Sequence, residues 1–92
     1  MSDVRVRLTD GGSDPLAFEV AVSEGGNETL HEVSLSQRDL ERLAHDDEAP
    51  EEFIRRCFQF LLEREPKESI MRRFDVTVIS SYFPEFEVDI VR

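Results

Sequence analysis

Apolar and polar residues alternate over the first third of the chain. Val4, Val6 and Leu8 alternate with Arg5, Arg7 and Thr9, which predicts a first strand. Asp10-Gly11-Gly12-Ser13-Asp14-Pro15 is a cluster of turn formers. Leu16, Phe18, Val20 and Val22 then alternate with Ala17, Glu19, Ala21 and Ser23, a second strand. Gly25-Gly26 suits a two-residue hairpin turn, because both positions tolerate positive φ. A third strand runs from about Glu28 to Leu35.

The hairpin fixes a register. With the glycines as the turn, Val22 faces Thr29, Val20 faces His31, Phe18 faces Val33 and Leu16 faces Leu35. All but Leu30 of the third strand's apolar residues then share the apolar face of the second; a one-residue slip would turn them over. The same register sets Glu19 opposite Glu32, an unfavourable like-charge pair, and Arg5 or Arg7 of the first strand can relieve it. The expectation is an antiparallel three-stranded meander with a mostly polar outer face.

The pattern then changes period. Ser34 and Ser36 are both N-cap candidates, and Leu40, Leu43 and Ala44 form a narrow stripe on a short helix ending near His45. Pro50 with Glu51 and Glu52 opens a second helix, expected to reach about Arg64 before Pro66. Glu68 to Arg73 reads as a short helix with Ile70, Met71 and Phe74 inward. Residues 75–79 fit either a strand or a buried helical turn capped by Asp75. After the Tyr82-Phe83-Pro84 break, Phe86, Val88 and Ile90 alternate with Glu87 and Asp89, which reads as a final strand. The fold class is therefore α+β in one domain, residues 1–92: an N-terminal meander, central helices packed on it, and a C-terminal strand.

The second helix is broader than one contact requires. At about 100° per residue, Phe53, Ile54, Cys57, Phe58, Phe60, Leu61 and Leu62 sweep an arc of roughly 200°, twice what lying on one sheet needs. Two readings fit. The sheet covers one side and the C-terminal segments the other, or one flank, Phe58 with Leu62, packs against another subunit.

Composition narrows the function classes. Of 92 residues, 39% are hydrophobic and 35% charged, and the formal net charge is -10. No apolar run approaches the roughly 18 residues of a membrane span, and the acidity argues against nucleic acid. Only Lys67 interrupts an all-arginine set of cations, as codon bias or a salt-adapted surface would produce. The start lacks a basic-then-apolar leader, so a cytoplasmic protein is expected.

Candidate chemistry is sparse. Cys57 alone makes no internal disulfide, and one Cys with two His supplies no zinc set. His31 falls on the inward face of the third strand, as a hydrogen-bonded core residue, and His45 near a helix end, where a cation is favoured. Asp46-Asp47-Glu48 lacks the ligand spacing and glycine of a calcium loop, so no metal is expected. Arg55 and Arg56 pair at helical spacing with Glu51 and Glu52. No catalytic residues and no cofactor are assigned, since no nucleophile elbow, zinc-helix, phosphate-loop or dinucleotide signature occurs.

Phe60-Leu61-Leu62-Glu63-Arg64-Glu65-Pro66, Ser69-Ile70, Phe74-Asp75 and Tyr82-Phe83-Pro84-Glu85 together resemble a group of small uncharacterised bacterial acidic α+β proteins, over about residues 28–90. The resemblance implies no activity and carries over no site.

Three expectations follow. The first is a non-enzymatic, self-associating protein-interaction domain with Phe58, Leu62, Tyr82 and Phe83 at the interface. The second is a small enzyme or binding protein in which Arg55, Arg72 and Arg73 converge on an anion. The third is an acidic inhibitor or antitoxin-like partner of a basic protein.

Overall fold

The computed structural model of the chain describes residues 2–92. Strands β1 (Asp3–Asp10), β2 (Leu16–Glu24) and β3 (Asn27–Leu35) form the expected antiparallel meander. Gly25 and Gly26 sit at φ 59° and 87°, the turn geometry that joins two right-twisted strands without splaying them. The register follows: Val22 opposite Thr29, Val20 opposite His31, Phe18 opposite Val33, Leu16 opposite Leu35. Leu16, Phe18, Val20, Val22, His31, Val33 and Leu35 are all buried on one face.

The outer face carries a row of charge across the whole sheet. Arg7 lies opposite Glu19, Glu19 opposite Glu32, and Glu32 opposite Arg73. Arg7 bonds Glu19 at 2.9 Å and Arg73 bonds Glu32 at 2.8 Å, so each carboxylate of the repulsive pair has its own guanidinium. Arg5 pairs with Glu28 on the same face.

Helix α1 (Gln37–Leu43) starts at Ser36, whose Oγ accepts from the Asp39 N–H at 3.1 Å. Ser34 stays in β3. Helix α2 (Pro50–Leu62) has Pro at its first position, and Glu52 accepts from the Ala49 N–H at 3.0 Å. This use of Glu52 corrects the expected Arg56–Glu52 pair: Arg56 instead grips Glu48 at 2.6 and 2.8 Å and donates to the Ile90 carbonyl at 2.5 Å. Arg55 likewise donates to the Val4 carbonyl at 3.3 Å rather than to Glu51.

The C-terminal third departs from expectation. The expected helix over Glu68–Arg73 is only a 3-10 turn, Lys67–Ser69. The fourth strand exists, but it is β4 (Arg73–Asp75), parallel to β3 at the sheet edge, giving the order β1-β2-β3-β4. Residues Val76–Val78 take the helical-turn alternative, with Asp75 accepting from the Thr77 N–H at 3.0 Å. Helix α3 (Ile79–Tyr82) follows. Phe86–Ile90, expected as a strand, is instead a helix, α4. Phe86 and Ile90 are four apart and both buried, whereas Val88 points to solvent.

The wide arc of α2 is thereby accounted for within one chain. Phe53, Ile54, Cys57, Phe58, Phe60 and Leu61 are all buried in one core with the sheet, Phe74, Val76, Ile79, Phe86 and Ile90. Edge-to-face rings join the helix to the C-terminal segments: Phe60 lies 5.1 Å from Phe86 and 6.0 Å from Phe83.

Candidate functional site

The residues expected at an interface do not share a surface. Phe58 is 0% exposed, its ring 5.4 Å from His31 and 6.0 Å from Phe74, so it is core and has no face left for a partner. Leu62 is half-buried beside β1, in a recess with Asp3, Val4, Arg55 and Gln59. Tyr82 and Phe83 line a separate groove.

The three arginines of the anion reading do not converge either. Arg55 bonds the backbone of β1, and Arg73 pairs with Glu32 at the β4 edge. β1 and β4 are the two ends of a four-stranded sheet, three interstrand steps or roughly 14 Å apart. Arg72 sits with Arg73 in a shallow recess lined by Glu19 and Glu32, which repel an anion.

Both histidines are engaged structurally. His31 Nδ1 is 2.7 Å from the Met71 carbonyl and Nε2 is 2.9 Å from Thr29 Oγ1. A carbonyl only accepts, so Nδ1 carries the proton, and the neutral Nε2 accepts from the Thr29 hydroxyl. Burial, with the Arg72 charge adding to it, lowers the His31 pKa against the opposing Met71 bond. The unfolded chain therefore takes up a proton first as pH falls. This contribution to stability is complete above about pH 6.5, the ordinary histidine value, and is lost below it. A urea titration series from pH 7.5 to 5 should show a fall in midpoint that His31→Gln flattens; an unchanged slope would remove this role. His45 binds the Arg92 carbonyl through Nε2 at 2.9 Å.

The Cys57 thiol is buried, and that burial pushes its pKa up, leaving no thiolate for nucleophilic work. Among the described residues no group of three His, Cys, Asp or Glu side chains is placed to hold a metal ion. Glu48, expected in a solvated acidic loop, is instead the partner of Arg56, which holds its carboxyl below the usual range.

Two surfaces remain. One is the free edge of β1. Across a two-residue turn Glu24 and Asn27 form a hydrogen-bonded pair, so alternation turns the backbone groups of Ala21 and Glu19 toward β1. Their partners Arg5 and Arg7 bond back, and Val4, Val6 and Leu8 must aim N–H and C=O outward. The Arg55 bond to the Val4 carbonyl, and on the far side the Glu32 N–H bond to the Arg72 carbonyl at 2.7 Å, agree with this parity.

The second surface is an apolar groove of about 320 Å³ lined by Leu61, Glu65, Ser69, Ile70, Met71, Phe74, Ile79, Tyr82 and Phe83. Local chemistry builds it. α2 closes with the Arg64 and Glu65 N–H groups on the Leu61 carbonyl, and Pro66 has no N–H to continue it. His31 then pins the chain at Met71, and the Glu32 N–H pins it at Arg72, which holds segment 70–72 against β3. Met71, expected inward, is 38% exposed on the groove, and Tyr82 is 66% exposed on its rim.

Among known proteins, the chain matches no family model, no curated protein and no solved structure. No helix among the described residues is long and apolar enough to cross a membrane.

Proposed function

We propose that this chain is an acidic protein-interaction domain that acts without catalysis of its own and pairs with a second copy along β1. One observation carries the reading: an eight-residue edge strand whose outward N–H and C=O groups at Val4, Val6 and Leu8 have, apart from Arg55 on the Val4 carbonyl, no partner among the described residues. Such an edge is a template for another strand. Antiparallel pairing of β1 with itself keeps the apolar face continuous when even-numbered residues face even-numbered ones. Val6 opposite Val6 then places Val4 opposite Leu8, and the half-buried Leu62 lies beside the seam. The structurally engaged histidines, the inert Cys57 and the separated arginines all favour this binding role over the enzyme and anion-site readings. The segment resembling small bacterial proteins, about residues 28–90, leaves out β1 and adds no activity.

A seam of one strand pair is a small interface, below about 1,200 Å², so the dimer should exchange with monomer as concentration changes. Sedimentation equilibrium over a dilution series should show a mass rising toward twice 10.7 kDa. Val6→Pro removes an outward donor without touching the β1–β2 ladder, and Leu62→Glu charges the seam. Both should remain folded and stay monomeric. A wild-type chain that is monomeric at millimolar concentration would overturn the reading.

A further inference from the structure

The groove between the end of α2 and α3 is a different surface from the β1 edge, and its chemistry is specific. Its floor is apolar, from Leu61, Ile70 and Phe74, and Tyr82 stands exposed at the rim. At about 320 Å³ it lies at the lower end of ligand-site volumes, enough for a few side-chain-sized groups and too small for a large cofactor. Glu65 is the only ionisable carboxylate in its lining. The neighbouring acids have cationic partners: Glu68 pairs with Lys67, and Glu63, Glu85 and Asp89 share Arg64 at 3.4, 3.2 and 3.3 Å. Among the described residues nothing donates to the Glu65 carboxylate, and partial burial alone raises its carboxyl above the usual range. A cation set there would gain where solvent screening is already reduced. The net charge of -10 repels anionic partners, including acidic membrane surfaces, and draws basic ones.

We propose that this groove docks a short basic segment of another polypeptide, seating one large apolar side chain between Leu61, Phe74 and Tyr82 and setting an Arg or Lys one or two residues away against Glu65. The apolar seat supplies the anchor, and the carboxylate selects a cationic neighbour and rejects an acidic one. The proposal does not need the β1 dimer, so the Val6→Pro chain serves as well as wild type for its test.

The probe is a fluorescein-labelled peptide, glycine-phenylalanine-glycine-arginine-glycine, followed by polarisation and by methyl and aromatic NMR of the protein. The expected result is saturable binding that moves the Met71 methyl and Tyr82 ring signals. Glu65→Gln should weaken the arginine peptide about fivefold and leave a version with neutral citrulline unchanged. Tyr82→Ala should weaken both, and since Glu65 and Tyr82 both reach solvent, both variants should keep the wild-type circular dichroism. No binding at millimolar peptide, signal movement confined to other surfaces, or equal affinity for the arginine peptide and its glutamate counterpart would each overturn the proposal.

Discussion

Phe58→Ala is expected to lower stability by about 3–5 kcal/mol, the usual range for emptying a fully buried phenylalanine site. The ring packs between His31 of β3 and Phe74 of β4, so its loss opens a cavity under the β3–β4 end of the sheet, beside the groove that Phe74 lines and at the opposite end from the β1 edge. A single domain of this size has only about 5–15 kcal/mol in hand, and the melting temperature should fall by roughly 20 °C. Calorimetry paired with light scattering checks it. A variant that melts like wild type but changes mass would mean that Phe58 faces a partner after all.

The second large effect is expected at Arg56. Its guanidinium holds Glu48 by two bonds, whose side chain is only 10% exposed, caps the Ile90 carbonyl, and lies 5.6 Å over the Phe53 ring. Arg56→Met leaves the Glu48 carboxylate mostly buried without its counter-ion and frees the end of α4. Breaking a buried pair from one side costs about 3–5 kcal/mol; the partial exposure here brings the expectation to about 2–3 kcal/mol. Adding Glu48→Gln should restore about half, because the stranded charge is gone. Denaturant midpoints of the two singles and the double close the cycle. Strict additivity would show that the pair is not coupled.

How much was legible in the chain depended on how local the cause was. The meander and its register follow from alternation plus Gly25-Gly26, and α2 from a long periodic run behind Pro50. Both signals sit within one segment. Phe86–Ile90 misled because positions i, i+2 and i+4 contain the helical pair i and i+4, and five residues are too few to choose. The deciding fact was where Phe60 and Phe83 stand, which is tertiary. β4 was invisible for a related reason: three residues have no period, and it is a strand only because Glu32 and Ser34 of β3 offer it an edge. Of the expected interface, Phe58 reads as outward because the helix arc is too wide for a sheet alone. The C-terminal segments that cover the rest of it are joined to α2 by ring contacts and by Arg56 and Arg64, which no helical-wheel reading shows. Glu65 carries no sequence signal, being one of 21 acids, in a stretch of mixed charge between Arg64 and Lys67; only its place on a groove floored by Leu61 and Phe74 singles it out.

The row of charge across the sheet has a consequence for how β4 finds its place. Apolar alternation cannot detect a slip of two residues, and β4 has a single buried side chain, Phe74, with which to register itself. Moved two positions one way, Asp75 would face Glu32 and put three carboxylates side by side with Glu19; moved the other way, Arg73 would face Ser34 and abandon Glu32. The observed alignment satisfies Glu32 with Arg73 and gives Asp75 the Ser34 hydroxyl at 2.7 Å. The outer surface thus reinforces the stop that the His31–Met71 and Glu32–Arg72 bonds already set: the sequence of signs adds a penalty, small for exposed charges, to either slip.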